Sequence, residues 1–182
     1  MKNHETSIIH PSSKIDDSVE IGPYCIIGED VEILQGTKLL SHVVIKGPTV
    51  IGANNIFYQF STIGEDTPDK KFKGEKTKLE IGNNNIFREY VTVNPGTEGG
   101  GLKTVIKNNC LFMINAHVAH DCKIGNNVII ANNVPLGGHV TIEDSVVIGG
   151  NSAVQQFTRI GRLAMIGGMT GVLKDVIPFG LS

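Results

Sequence analysis

The chain lacks several things at once, and each absence narrows what it can be. Nowhere do about 18 apolar residues run together, so no membrane-spanning helix is expected. The N-terminal MKNHETSIIHPSSK has neither the apolar core nor the cleavage site of a secretory leader. No Lys/Arg-rich run of five or more occurs, and 16 Lys+Arg stand against 18 Asp+Glu, which argues against nucleic acid as a partner. Small polar or neutral partners fit better. Cysteine is scarce: Cys25, Cys110 and Cys122 are an odd number with no C-x-x-C pair, which points to free thiols in a reducing compartment, hence the cytoplasm. The 182 residues, 40% of them apolar, are enough to bury one sizeable core.

What the chain does have is a repeat. From residue 7 it divides into sixes (SIIHPS, SKIDDS, VEIGPY, CIIGED), is interrupted at 67–78 and 97–103, and resumes each time, the last stretch running from TVIKNN to TGVLKD. The third place of each six runs from Ile9 and Ile15 through Phe57, Phe87 and Ile124 to Val172, and all twenty-five are apolar in a chain that is only 40% apolar. Two residues earlier stands something small or β-branched, such as Val19, Cys25, Val43, Ala116 or Ser152. That is period-2 alternation over a very short strand, with both members of the pair facing inward. The last two places favour Gly, Asn and Asp, which tolerate the positive φ of a sharp corner.

Three such strands and corners close a coil of 18 residues, and stacked coils pair as parallel sheets about 4.8 Å apart. The expected fold is all-β. It resembles the left-handed parallel β-helix of hexapeptide-repeat proteins, with about eight coils over residues 1–182 and loops 67–78 and 97–103 ejected. The handedness comes from the resemblance and not from the spacing, since crossovers are otherwise right-handed.

Residues 18 apart then occupy the same place on successive coils. His120 falls below Gly138 and Gln156, and Asp121 below His139 and Phe157, so that "INAHVAHDC" contributes to a polar cluster along one corner. A histidine beside an aspartate supplies a base and its orienter. A metal would need three converging ligands, which His117, His120 and His139 could supply; no thiolate supports it, because Cys110 and Cys122 fall at inward places. His4, His10 and His42 read as plain surface, and the line Asn115, Asn133, Asn151 as corner residues bonding one another. TPDKKFKGEKTK carries five lysines and reads either as a solvated loop or as a cationic arm for a phosphate-bearing substrate. TEGGGLK lacks the following helix that a phosphate-cradling loop needs. Gly150 and Gly168 share another corner line and leave a shallow track there.

Taken together, YQFSTIGE, LEIGNNNIFRE, NPGTEGGG, MINAHVAHDCKIGN, ANNVPLGGHV, IGGNSAVQQF and IGGMTGV resemble the acyl-carrier-protein-dependent UDP-N-acetylglucosamine O-acyltransferases that open lipid A biosynthesis. The resemblance implies transfer of an R-3-hydroxyacyl group from acyl carrier protein to the 3-hydroxyl of UDP-N-acetylglucosamine, without cofactor or metal, by a homotrimer with sites between subunits. It implies His120 as general base, Asp121 as its partner and the Gly138 amide as oxyanion donor. It also implies Asp69, Lys71, His117, His139 and Gln156 as substrate-site residues and Gly168 as a ruler of acyl length. A C-terminal helical domain usual in the family has no counterpart in these residues. Two other readings stay open: the related sugar-amine N-acyltransferases, and a non-catalytic trimeric β-helix without its helical domain.

Overall fold

The computed structural model describes residues 2–182. Its strands are two to four residues long, because every inward pair is followed within two residues by a corner. They stack into three parallel sheets of nine, nine and eight strands, here called sheets 1, 2 and 3 in the order in which the chain first enters them. Each coil visits all three, giving the β-helix of hexapeptide repeats with triangular cross-section. The register is the 18-residue one wherever the chain is uninterrupted: Leu111 pairs with Ile129, His117 with Pro135, and Lys123 with Thr141.

One difference lies at the start. The first coil begins at Lys2–Asn3, which pairs with Glu20–Ile21, one repeat ahead of the expected start at residue 7. Asn3 holds the third place of that repeat, and its polar side chain conceals the period. Each insertion likewise hands its last residue to a strand: Lys78 pairs with Lys103, and the two loops rejoin the helix side by side.

The interior is a single column of fully buried Ile, Leu, Val and Phe. Phe57, Phe87 and Phe112 stack in it with ring centroids 4.6 and 4.7 Å apart. Beside Phe57 and Phe87 the small inward partners are polar, and these, Asn55 and Asn85, satisfy themselves on the backbone. Asn55 Nδ2 donates to Gly52 O and Gly82 O, and Asn85 Oδ1 accepts from the Cys110 amide. The three cysteines are free and buried. Burial pushes Cys110 up to about 11 and Cys122 up to about 12, so neither is a nucleophile at neutral pH.

Corners adopt left-handed φ, but not only at Gly, Asn and Asp. Between sheets 1 and 2 the residues are Tyr24, His42, Phe60, Tyr90, Asn115, Asn133, Asn151 and Met169, with φ between 56° and 62° apart from Phe60 at 63°. The strain, roughly 1–2 kcal/mol for such residues, is offset by a backbone bond to the coil below, as from Asn133 N to Ile114 O at 2.9 Å. Rings stack where asparagines do not: Tyr24, His42, Phe60 and Tyr90 form a ladder with centroids 5.0 to 5.3 Å apart. His42, expected as plain surface, is a rung of it. Above, Asn115 donates to Asn133 and Asn133 to Asn151 at 3.1 and 3.0 Å, as the sequence predicts.

Candidate active site

The corner between sheets 2 and 3 brings the candidate site residues together. Both insertions leave the helix there, between Ile63 and Lys78 and between Val93 and Lys103, so they lie against the coils that bear His120 and His139.

His120 Nδ1 is 2.8 Å from Asp121 Oδ2 within one chain. Adjacent strand residues point to opposite faces, so it is the left-handed turn at Asp121, φ 60°, that swings the carboxylate back beneath the ring. Although it stands at a corner, Asp121 is buried. Its carboxylate has no exposed surface, and the His120 side chain retains 14%. The glycine-rich insertion covers it: the Thr97 amide donates to Oδ1 at 2.9 Å and the Thr97 hydroxyl to Oδ2 at 2.6 Å. A carboxylate can only accept, so this contact favours the tautomer with the proton on Nδ1, which leaves Nε2 free on the side of Asp69.

Gly138 sits one coil above. A Cβ there would lie 2.6 Å from His120 Cε1 and Nε2, so only glycine lets this backbone approach the ring. The Gly138 residue is buried, and its N–H has no hydrogen-bond partner among the described residues, whereas Gly137 N donates to Val154 O and His139 N to His120 O.

Around this pair stand the other expected residues. Asp69 Oδ2 lies 3.8 Å from His120 Nε2, and its Oδ1 accepts from the Lys71 amide at 2.9 Å. His139 meets His120 edge-on at 5.0 Å, and Phe157 stacks on His139 at 4.4 Å. Asp69, Lys71, His139 and Phe157 share a cleft of about 540 Å3 with Thr97. Burial lowers the pKa of His139, with Asp121 and Asp69 opposing and His120 and Lys71 adding to the shift. His117 lies on sheet 2, three residues before His120, with Nδ1 2.7 Å from Thr92 Oγ1; burial, then the neighbouring His120, lowers its pKa. Gln156 is on the next coil up, its backbone N 2.6 Å from where a Cβ on Gly137 would fall. Gly168 is not part of this cluster within one chain. It lies at the corner between sheets 1 and 2, across the outer face of sheet 2, and no positive φ requires glycine there.

Ligand atoms of His120, Asp121 and His139 lie within 4.8 Å of one another, a spacing that a metal could bridge. His117 is not in that group, and Asp121 is already fully engaged by Thr97 and His120. A hollow of about 580 Å3 on sheet 3 is larger than the cleft, floored by Val105, Ile124 and Ile142 and rimmed by Lys and Arg, but it has no histidine in its lining. The paired histidine and carboxylate that could do acid–base chemistry are therefore those of the corner. Thr92, Thr97 and Gly100 were not expected there. "TEGGG" was the available signal, and without the coil above it its target could not be read.

Residues 103–138 match the family "Bacterial transferase hexapeptide (six repeats)". Fold and repeat thus place the chain among the hexapeptide-repeat transferases. A crystal structure of a UDP-N-acetylglucosamine acyltransferase superposes with a TM-score of 0.98 at 44% identity, over 100% of this chain and 70% of that one. That of LpxA from Acinetobacter baumannii gives 0.94 at 52% identity, over 95% and 67%. The acyl-[acyl-carrier-protein]–UDP-N-acetylglucosamine O-acyltransferase of Saccharophagus degradans is 54% identical over 123 residues, which are 68% of this chain and 48% of that protein. The chain belongs to the UDP-N-acetylglucosamine acyltransferase family. It spans about half the length of the curated relatives it matches.

Proposed function

We propose that this chain transfers an R-3-hydroxyacyl group from acyl carrier protein to the 3-hydroxyl of UDP-N-acetylglucosamine, the first step of lipid A biosynthesis, as a homotrimer in the cytoplasm. The observation that carries the proposal is the His120 ring, hydrogen-bonded to Asp121 and lying directly beneath the Gly138 backbone, a pair the proposal reads as base and oxyanion donor. Nε2 takes the proton of the sugar hydroxyl as the oxygen attacks the thioester carbonyl. The Gly138 N–H stabilises the oxyanion, a contribution commonly about 3 kcal/mol. Collapse breaks the C–S bond, and the imidazolium returns its proton to the departing thiolate. Asp69, Lys71, His117, His139 and Gln156 bind the sugar nucleotide, Lys71 as a point charge for phosphate. The acyl chain runs over sheet 2, where the outward places above His117 shrink to Pro135, Ala153 and Gly171, toward Gly168.

The test is a transfer assay with 3-hydroxyacyl carrier protein and UDP-N-acetylglucosamine. Ester formation at the 3-hydroxyl that falls by roughly 10²–10⁴ in His120→Ala supports the proposal. Transfer to a 3-amino sugar in preference to the 3-hydroxyl would replace the acceptor, and parental turnover by His120→Ala would remove the base.

A further inference from the structure

We infer that Thr97, carried by the glycine-rich insertion, is a positioning residue for the His120–Asp121 pair, holding the carboxylate in the orientation that keeps the imidazole proton on Nδ1. The inference rests on the reading of His120 as base and adds to it the group that holds the base's partner. Three observations carry it.

First, Asp121 is a carboxylate with no exposed surface, and no lysine or arginine pairs with it among the described residues; its ion-pair contacts are His120 and His139 alone. A buried charge of this kind is tolerable only when hydrogen bonds replace water. Thr97 supplies two of them, one to each oxygen, and His120 the third. Second, Thr97 stands at the N-cap of the 3-10 turn Glu98–Gly100 in extended backbone, φ −128° and ψ 161°. A threonine there ordinarily turns its oxygen to its own turn. This one makes no such bond and spends its hydroxyl on Asp121. Third, a Cβ on Gly100 would fall 2.0 Å from Asp121 Cγ, and no positive φ calls for glycine at that position. The glycine is there so that the turn can close over the carboxylate.

The turn is itself braced. Gly100 N and Leu102 N donate to Thr97 O at 3.1 and 3.0 Å, and Gly96 N to Lys78 O at 3.2 Å. Glu98 N reaches Glu75 Oε1 at 3.4 Å on the insertion that bears Asp69 and Lys71. The loop therefore brings its hydroxyl to Asp121 already fixed. A freely rotating carboxylate would let His120 hold its proton on Nε2, where it cannot accept one from the sugar.

Thr97→Val removes the donor and keeps the shape, and Thr97→Ser restores the donor. With kcat and KM measured on the full chain, Thr97→Val is expected to lose roughly tenfold to a hundredfold in kcat, as for a hydrogen bond to a charged group. KM should change little, and Thr97→Ser should recover most of the rate. In a His120→Ala background Thr97→Val should cost nothing further, because it acts through the ring. Independently of turnover, 15N-imidazole spectra should show His120 protonated on Nδ1 in the parent and as mixed tautomers in Thr97→Val. Parental kcat with an unchanged tautomer in Thr97→Val overturns the inference, as does an equal loss in the His120→Ala background. If His120→Ala alone keeps parental kcat, the base reading fails, and the tautomer spectra then decide the clamp by themselves.

Discussion

At the scale of single residues, stability and rate should separate. His120 is not in the apolar column, so His120→Ala should fold and lose no more stability than its one hydrogen bond to Asp121 supplies, while kcat falls by roughly 10²–10⁴. Asp121→Asn should lose up to about 10⁴, because both Thr97 donors face the carboxylate and an amide must turn its own NH2 into one of them. Calorimetry beside kcat checks both; a His120→Ala chain that melts early and keeps its rate per folded molecule would mark the histidine as structural. The pKa values of His117 and His139 are both lowered by burial, so the fold holds them neutral. The unfolded chain then binds more protons, and their contribution to stability is complete above about pH 6.5, the ordinary imidazole value. It is lost as pH falls through that value toward the lower folded ones. Melting temperature should drop between pH 7 and 5, and less so in a chain with both histidines replaced by glutamine. His120, Asp121, Gly138 and His139 were legible because the period is 18 and the register unbroken after residue 104. Thr97 was not, because it reaches Asp121 across 24 positions from inside an insertion to which no period applies.

At the scale of the coil, an inward residue every sixth place was enough to foretell three parallel sheets, since only a closed triangular turn buries such a column. What periodicity cannot show is how corners are made from unsuitable residues. Tyr24, His42, Phe60 and Tyr90 adopt left-handed φ where each ring lies against the next. The same logic runs inside, where Phe87 is held between Phe57 and Phe112. Phe87→Ala should cost about 3–5 kcal/mol, and Phe57→Ala less, having one stacked neighbour instead of two. The double replacement should cost less than the sum, since each removes a contact of the other. Chemical denaturation of the three variants measures this; strictly additive losses would show that the rings do not act as a stack.

At the scale of the whole molecule, the polar cleft and Gly168 lie at two edges of the prism with the proposed acyl track over sheet 2 between them, and the track is open to solvent: Pro135, Ala153 and Gly171 are all exposed. A hydrocarbon lying there would keep one side in water, so a second wall is needed, and another copy of the chain is the natural supplier. The lower coils carry the apolar surface for such a contact, with Ile8, Ile26, Phe60 and Tyr90 each between 43% and 64% exposed along sheet 2 and its edge. Sedimentation should therefore give three times the 19.5 kDa of the chain, and Phe60→Glu should shift it toward smaller species. If the walls close over Gly168, a side chain there must shorten the space. A Cβ at Gly168 meets nothing nearer than the Gly150 carbonyl oxygen at 3.3 Å, so Gly168→Met should fold and assemble. Its donor preference should move to acyl chains several carbons shorter, read from kcat/KM across a series of acyl carrier protein thioesters. A stable, trimeric Gly168→Met with the parental donor profile would place the end of the acyl chain elsewhere.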